Sequence, residues 1–186
     1  MKRKLFACRL TLFVLVLAFF AGVRANAQCD PKSQNPPSPP AQTSVTLGGK
    51  DVTIYYCAPS MRGRKIFGGL VPYGQWWRTG ANTSTTIKTE TSLEIGTLKV
   101  PAGTYTLYTL PSEANWTLIV NKQTGQWGTV YKQDMDFGRT GMTRAPAPSS
   151  PVETFKIDFE NTKGKKTQLH LIWDTTDVYV PVKAGK

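Results

Sequence analysis

Four cations and four aromatic side chains crowd into one stretch of this chain, Arg62 to Thr83 (RGRKIFGGLVPYGQWWRTGANT). Arg62, Arg64, Lys65 and Arg78 stand among Phe67, Tyr73, Trp76 and Trp77, punctuated by five glycines. No acidic residue lies between Val52 and Thr89, so these cations and Lys88 have no local counter-ion. A guanidinium binds carboxylate or phosphate at two points and also stacks on aromatic faces. Tyr73, Trp76 and Trp77 would supply those faces or a platform for a sugar ring. Arg64, Arg78 and Asn82 are the candidate polar anchors. A second reading stays open, in which the same loop only braces the fold. Adjacent tryptophans on extended backbone point to opposite sides, so one of Trp76 and Trp77 belongs to the core. Arg78 would then lie beneath the loop, paired with carbonyls or with a distant carboxylate such as Asp158 or Asp174.

Other chemistry has less to work with. His170 is the one histidine, and it alternates against Leu169, Leu171 and Trp173, which places it on the surface face. A single histidine without a spaced cysteine pair gives no usual zinc site. Asp134-Met135-Asp136 lacks the glycine and distal glutamate of a calcium loop and reads as a solvated turn. No serine sits in a G-x-S-x-G elbow. No metal and no cofactor is expected, and binding is favoured over catalysis. The rival reading is a hydrolase of an envelope polymer, with an arginine-stabilised oxyanion and a base supplied by a carboxylate or His170. A purely structural interaction domain is the third.

The elements that must position the loop are strands. Val52, Ile54 and Tyr56 alternate against Thr53, Tyr55 and Cys57, and Thr85 to Glu90 resumes that pattern after the loop. Leu93 to Ile95 and Leu98 to Val100 form a hairpin about Gly96-Thr97. Thr104 to Leu110 and Trp116 to Asn121 follow, then Gly125 to Pro148, which reads as a long crossover with one short strand. Trp127 within it is either a lid over the site or a plug for the end of the fold. Three strands close the chain, around Phe155 to Phe159, Leu169 to Trp173 and Val178 to Val182. Roughly eight to ten short strands separated by Gly, Pro, Asn and Asp turns predict an all-β, antiparallel sandwich or partly closed barrel carrying one long glycine-rich loop.

Ahead of that domain, Lys2, Arg3 and Lys4 precede an apolar run from Leu10 to Ala21 and a small-x-small site at Ala25-Asn26-Ala27. This is the order of a secretory signal peptide, with cleavage near Ala27 and no stable membrane span left afterwards. The chain is expected outside the cytoplasm, periplasmic or secreted. Loss of Lys2, Arg3, Lys4, Arg9 and Arg24 takes the basic residues from 23 to 18 against 12 acidic ones, so the net charge falls from +11 to +6. An exported chain of modest charge without a recognition motif is no nucleic-acid binder. Cys29 and Cys57 remain as a candidate disulfide in an oxidising compartment. Segment 28–43 (rich in proline) reads as a tether, 44–183 as one β domain, and 184–186 as a tail.

GRKIFGGLVPYGQWWRTGAN (63–82), PAGTYTLYTLP (101–111), WTLIVNK (116–122), QWG (126–128) and the closing L-x-L-x-W with VYVPV resemble an exported bacterial family known only as domain of unknown function 2911. The resemblance runs from about Val45 to Val182. It implies a compact, mostly β domain behind a signal peptide and supplies no activity. Cys57-Ala58 departs from the pattern, which has Ser and a basic residue before the proline. The partner expected from the cations and aromatics of the Arg62–Thr83 loop is a small anionic or sugar-like ligand, or a component of the cell envelope.

Overall fold

Alternation of apolar and polar residues builds a single antiparallel sheet. The computed structural model describes Cys29 and residues 37–185. The expected export segment 1–27 and half of the expected tether 28–43 lie outside the described residues. Eleven strands follow in chain order: β1 (Pro40–Leu47), β2 (Lys50–Cys57), β3 (Thr85–Thr89), β4 (Leu93–Ile95), β5 (Leu98–Val100), β6 (Gly103–Leu110), β7 (Trp116–Asn121), β8 (Asp136–Arg144), β9 (Val152–Lys163), β10 (Lys166–Asp174) and β11 (Thr176–Ala184). Nine of them run in the order β1-β2-β3-β6-β7-β8-β11-β10-β9, and the β4–β5 hairpin pairs with β11 at Val182–Ala184. β8 meets the same edge of β11 at Val178 and Tyr179, so β8 and β4 share that edge end to end.

The sheet curls until its two margins meet. Beyond Cys57 the chain runs beside β9: Met61 N–H donates to the Glu153 carbonyl at 2.8 Å, and Phe155 N–H donates to the Pro59 carbonyl at 2.8 Å. Further along, Ile157 N–H donates to the Tyr56 hydroxyl at 3.1 Å. These bonds occupy edge donors that would otherwise invite another strand. The result is a barrel-like sheet with a seam between β2's continuation and β9.

The predicted faces turn inward. Val52, Ile54 and Tyr56, then Trp116, Leu118 and Val120, then Leu169, Leu171 and Trp173, then Val178, Val180 and Val182 are all buried in one core. Ile66, Phe67, Val71 and Trp77 join them from the Ala58–Ser84 loop and stopper one end of the barrel. Phe67 packs edge-on against Trp116 with centroids 4.8 Å apart, and Trp77 stacks on Trp173 at 5.9 Å and 18°. Trp77, not Trp127, is the plug.

Four expectations need correction. β1 begins at Pro40 rather than Ser44, because the first residue of a strand needs no ladder donor from its own nitrogen. The 125–148 crossover contains a nine-residue strand, β8, whose Thr- and Gly-rich sequence DFGRTGMTR hides the alternation. Its Gly138 admits the Leu98 side chain where any Cβ would collide. His170 is not a surface residue; it is 4% exposed. It does lie opposite the core face, but Tyr179 stacks on it from β11 at 5.1 Å and Asp177 Oδ1 sits 2.8 Å from its Nδ1. Long side chains on neighbouring strands bury it from outside. Asp136 is no solvated turn residue either, since Asn121, Tyr131 and Arg139 all donate to its carboxylate.

Trp77→Ala should destabilise the fold by about 3–5 kcal/mol, the usual cost of deleting a buried tryptophan. Trp76→Ala, on the same loop but 38% exposed, should cost less than half as much. Urea unfolding of both variants measures the difference, and equal losses would refute the plug.

Candidate functional site

The loop between β2 and β3 is held at its neck and at its tip. At the neck, Ala81 N–H donates to the Cys57 carbonyl at 3.1 Å. Cys29 and Cys57 form a disulfide there with Cα atoms 5.7 Å apart, which ties the N-terminal segment to the same point. Gly80 suits the neck, because at its φ of +156° a Cβ would be strained and would stand only 3.0 Å from both the Cys57 carbonyl and the Thr85 hydroxyl. Near the tip, Trp77 and Thr109 exchange two backbone hydrogen bonds, at 2.7 and 2.9 Å. That pairing extends the backbone and sends the adjacent indoles to opposite sides. Trp77 enters the barrel, where its indole N–H donates to the Gly80 carbonyl at 3.1 Å. Trp76 turns outward onto Tyr108 and Tyr131, with centroids 5.7 and 5.0 Å away.

Between the loop, the Pro59–Arg64 segment and Thr129 lies a concavity of about 590 Å³. Trp77 and Trp173 form its apolar base, and Arg64, Trp76, Arg78 and Asn82 line it, together with Leu70. None of the lining residues is Asp, Glu or His. The structure thus brings five of the predicted residues together and leaves two outside. Tyr73 lies over Gly68 and does not line the concavity. Trp127 is 52% exposed; its backbone pairs with Thr83, and its ring does not line the concavity either.

The two arginines are in different states. Arg64 donates from Nε to the Met61 carbonyl at 2.9 Å and from Nη2 to the Ser60 carbonyl at 2.7 Å. It therefore braces the seam while bordering the concavity. Arg78 passes its stem over Gly128, where a Cβ would strike it, and buries Nε with no hydrogen-bond partner. Burial pushes its pKa down, with no charged group offsetting the desolvation. No ion pair reaches Arg78 among the described residues. Asp158, a candidate partner from sequence, pairs with Lys156 instead. Asn82 adopts φ +56° and its carbonyl accepts from Gly128 N–H at 3.0 Å, so it shapes the turn as well as facing the concavity.

On the far side of Trp76 is a cluster that the alternation pattern conceals. Asp136 accepts from Asn121 Nδ2 at 2.8 Å, from the Tyr131 hydroxyl at 2.8 Å, and from Arg139 Nε and Nη2 at 2.9 and 2.8 Å. Residues three apart on a regular strand face opposite ways, but the ladder shifts register between Val120 and Asn121, and this lets Asp136 and Arg139 meet. Burial, reinforced by the hydrogen bond and charge of Asp136, pushes the Tyr131 pKa up to about 12 against the weaker pull of Arg139. Among the described residues, no three His, Cys, Asp or Glu side chains are placed to hold a metal ion.

The chain matches the family described as "Protein of unknown function (DUF2911)" over residues 38–182, and it belongs to that family. The match takes in the whole Ala58–Ser84 loop and the Asp136 cluster. No curated protein and no solved structure matches the chain.

Tyr131 gives the fold an alkaline limit. Its proton is held more tightly in the folded chain than in the unfolded one, where the pKa is 10.0, so between about pH 10 and 12 the unfolded state loses protons first and stability falls as pH rises. Tyr131→Phe should flatten part of that slope in urea unfolding series run from pH 9 to 12. An unchanged slope would show that Asp136 does not restrain this hydroxyl.

Proposed function

We propose that this DUF2911 barrel is an exported binding module that takes a small ligand bearing a carboxylate or phosphate into the concavity between Arg78 and Trp76. The observation that carries the reading is Arg78: a half-buried guanidinium with an orphaned Nε, bordering a concavity lined by no acid. A desolvated charge without a counter-ion is unfavourable in the free protein, and an anion delivered by a ligand removes that penalty. Trp76 and the indole base supply an apolar wall for the rest of the ligand. The volume is within the range of about 300–1,000 Å³ usual for small-molecule sites.

The hydrolase reading has less support. It needs a general base beside the arginines, and the lining residues include neither a carboxylate nor the histidine. His170 is committed to Asp177 on the outer face of β10.

Titration with inorganic phosphate and with galacturonate, followed by tryptophan fluorescence, tests the proposal. At least one should give a saturable change in the wild type, and Arg78→Gln should abolish it while the melting temperature moves little. The wild type giving no response to either anion, or a variant that melts several degrees lower with its response intact, would leave Arg78 as scaffold.

A further inference from the structure

Trp76 also borders a second concavity of about 370 Å³, and Gln75 and Trp76 line both. The other groups that matter in the second concavity are Tyr131, Gln133 and Arg139. We propose that this is a second subsite, and that the two concavities together form a groove for an acidic oligosaccharide whose adjoining units occupy the two concavities that share Gln75 and Trp76. The proposal rests on the anion reading of the Arg78 concavity and names the ligand class of that site.

Three features point to this class. The first concavity carries Arg64 and Arg78, the second carries Arg139, and neither is lined by a carboxylate, which suits a ligand with an anionic group at each. A chain of uronic-acid units repeats a carboxylate in that way. Arg139 is held by Asp136 through Nε and Nη2 on the same carboxylate oxygen, so its remaining donors at Nη1 are fixed in direction before any ligand arrives. Gln75 and Gln133 are exposed, and their side chains have no hydrogen-bond partner among the described residues. An amide offers donors and an acceptor together, which suits hydroxyl groups; a polyphosphate presents acceptors almost alone. The Trp76 indole packs on Tyr131 with centroids 5.0 Å apart but stays 38% exposed, and its uncovered aromatic surface suits the electropositive C–H face of a sugar ring.

Calorimetric titration of the folded domain with galacturonate and with digalacturonate separates the two claims. The disaccharide should bind at least tenfold more tightly than the monosaccharide. Arg139→Gln and Gln133→Ala should each bring the disaccharide down to the monosaccharide's affinity without changing the latter, and Arg78→Gln should remove both. Gln133→Ala decides the matter if loss of Arg139 unfolds the chain, since its side chain supports nothing in the fold. Equal affinity for one and two units in the wild type, or a chain-length gain that survives in Gln133→Ala, would overturn the second subsite while leaving the Arg78 reading intact. Binding of phosphate but of neither galacturonate would overturn the acidic-sugar class alone. If no anion binds at all, both readings fall together.

Discussion

The pair of backbone hydrogen bonds between Trp77 and Thr109 is the constraint on which the rest of the structure depends. It makes the loop locally a strand, and a strand must send neighbouring side chains to opposite faces. One indole therefore enters the barrel and the other leaves it. The inward ring meets Trp173, Phe155 and Phe67 and closes an end of the barrel that the strands alone leave open. The outward ring borders two concavities. Core and surface features of the loop are thus consequences of one local geometry, which is why scaffolding and binding were hard to tell apart as alternatives. They are two sides of the same peptide.

A loop as long as Ala58–Ser84 exceeds the length of about 12–15 residues beyond which irregular connections become uncommon in compact domains. Its conformational freedom is removed piecewise. Cys57 and Ala81 close the neck, Met61 and Pro59 zip onto β9, and Gly74 and Trp77 hang from Pro111 and Thr109. Each attachment shortens the free segments, and closing a short segment costs less entropy than closing a long one. The disulfide to Cys29 adds a covalent tie at the neck. With its backbone fixed this often, the loop can hold an arginine in an unfavourable environment that a mobile loop would let escape into water.

The sheet was legible in the sequence because its buried faces obey a period of two: Val52-Ile54-Tyr56 and Leu169-Leu171-Trp173 can be assigned from alternation alone. What escaped depends on contacts that have no period. Tyr56 satisfies Ile157 across a seam 101 residues away in sequence. His170 is enclosed by Tyr179 and Asp177 from the adjacent strand, so its outward position on β10 misstates its exposure. Asp136 and Arg139 meet only because the ladder slips by one residue beside them, and no residue type in DFGRTGMTR announces that slip. The candidate loop was found through composition, whereas the states of its arginines follow from carbonyls and glycines that composition does not rank.

Three arginines show why burial with no partner is the informative state. Arg64 is held by two carbonyls and Arg139 by one carboxylate and a phenol, so each is anchored within the folded chain, Arg139 with its Nη1 left over. Arg78 is not. Its Nε has left water without acquiring an acceptor, and desolvation is the sole cause lowering its pKa. A fold that needed only packing at this position would be better served by an apolar residue of similar volume, since replacing buried charges with well-packed hydrophobic groups is often neutral or stabilising. Gly128 lets the Arg78 stem pass, but the Asn82 carbonyl, 2.5 Å from where a Cβ would stand, excludes a side chain there in any case. What singles out Arg78 is therefore its own state, a guanidinium with an orphaned Nε at the margin of a concavity that no acid lines, and this is the group that the proposed anion would engage.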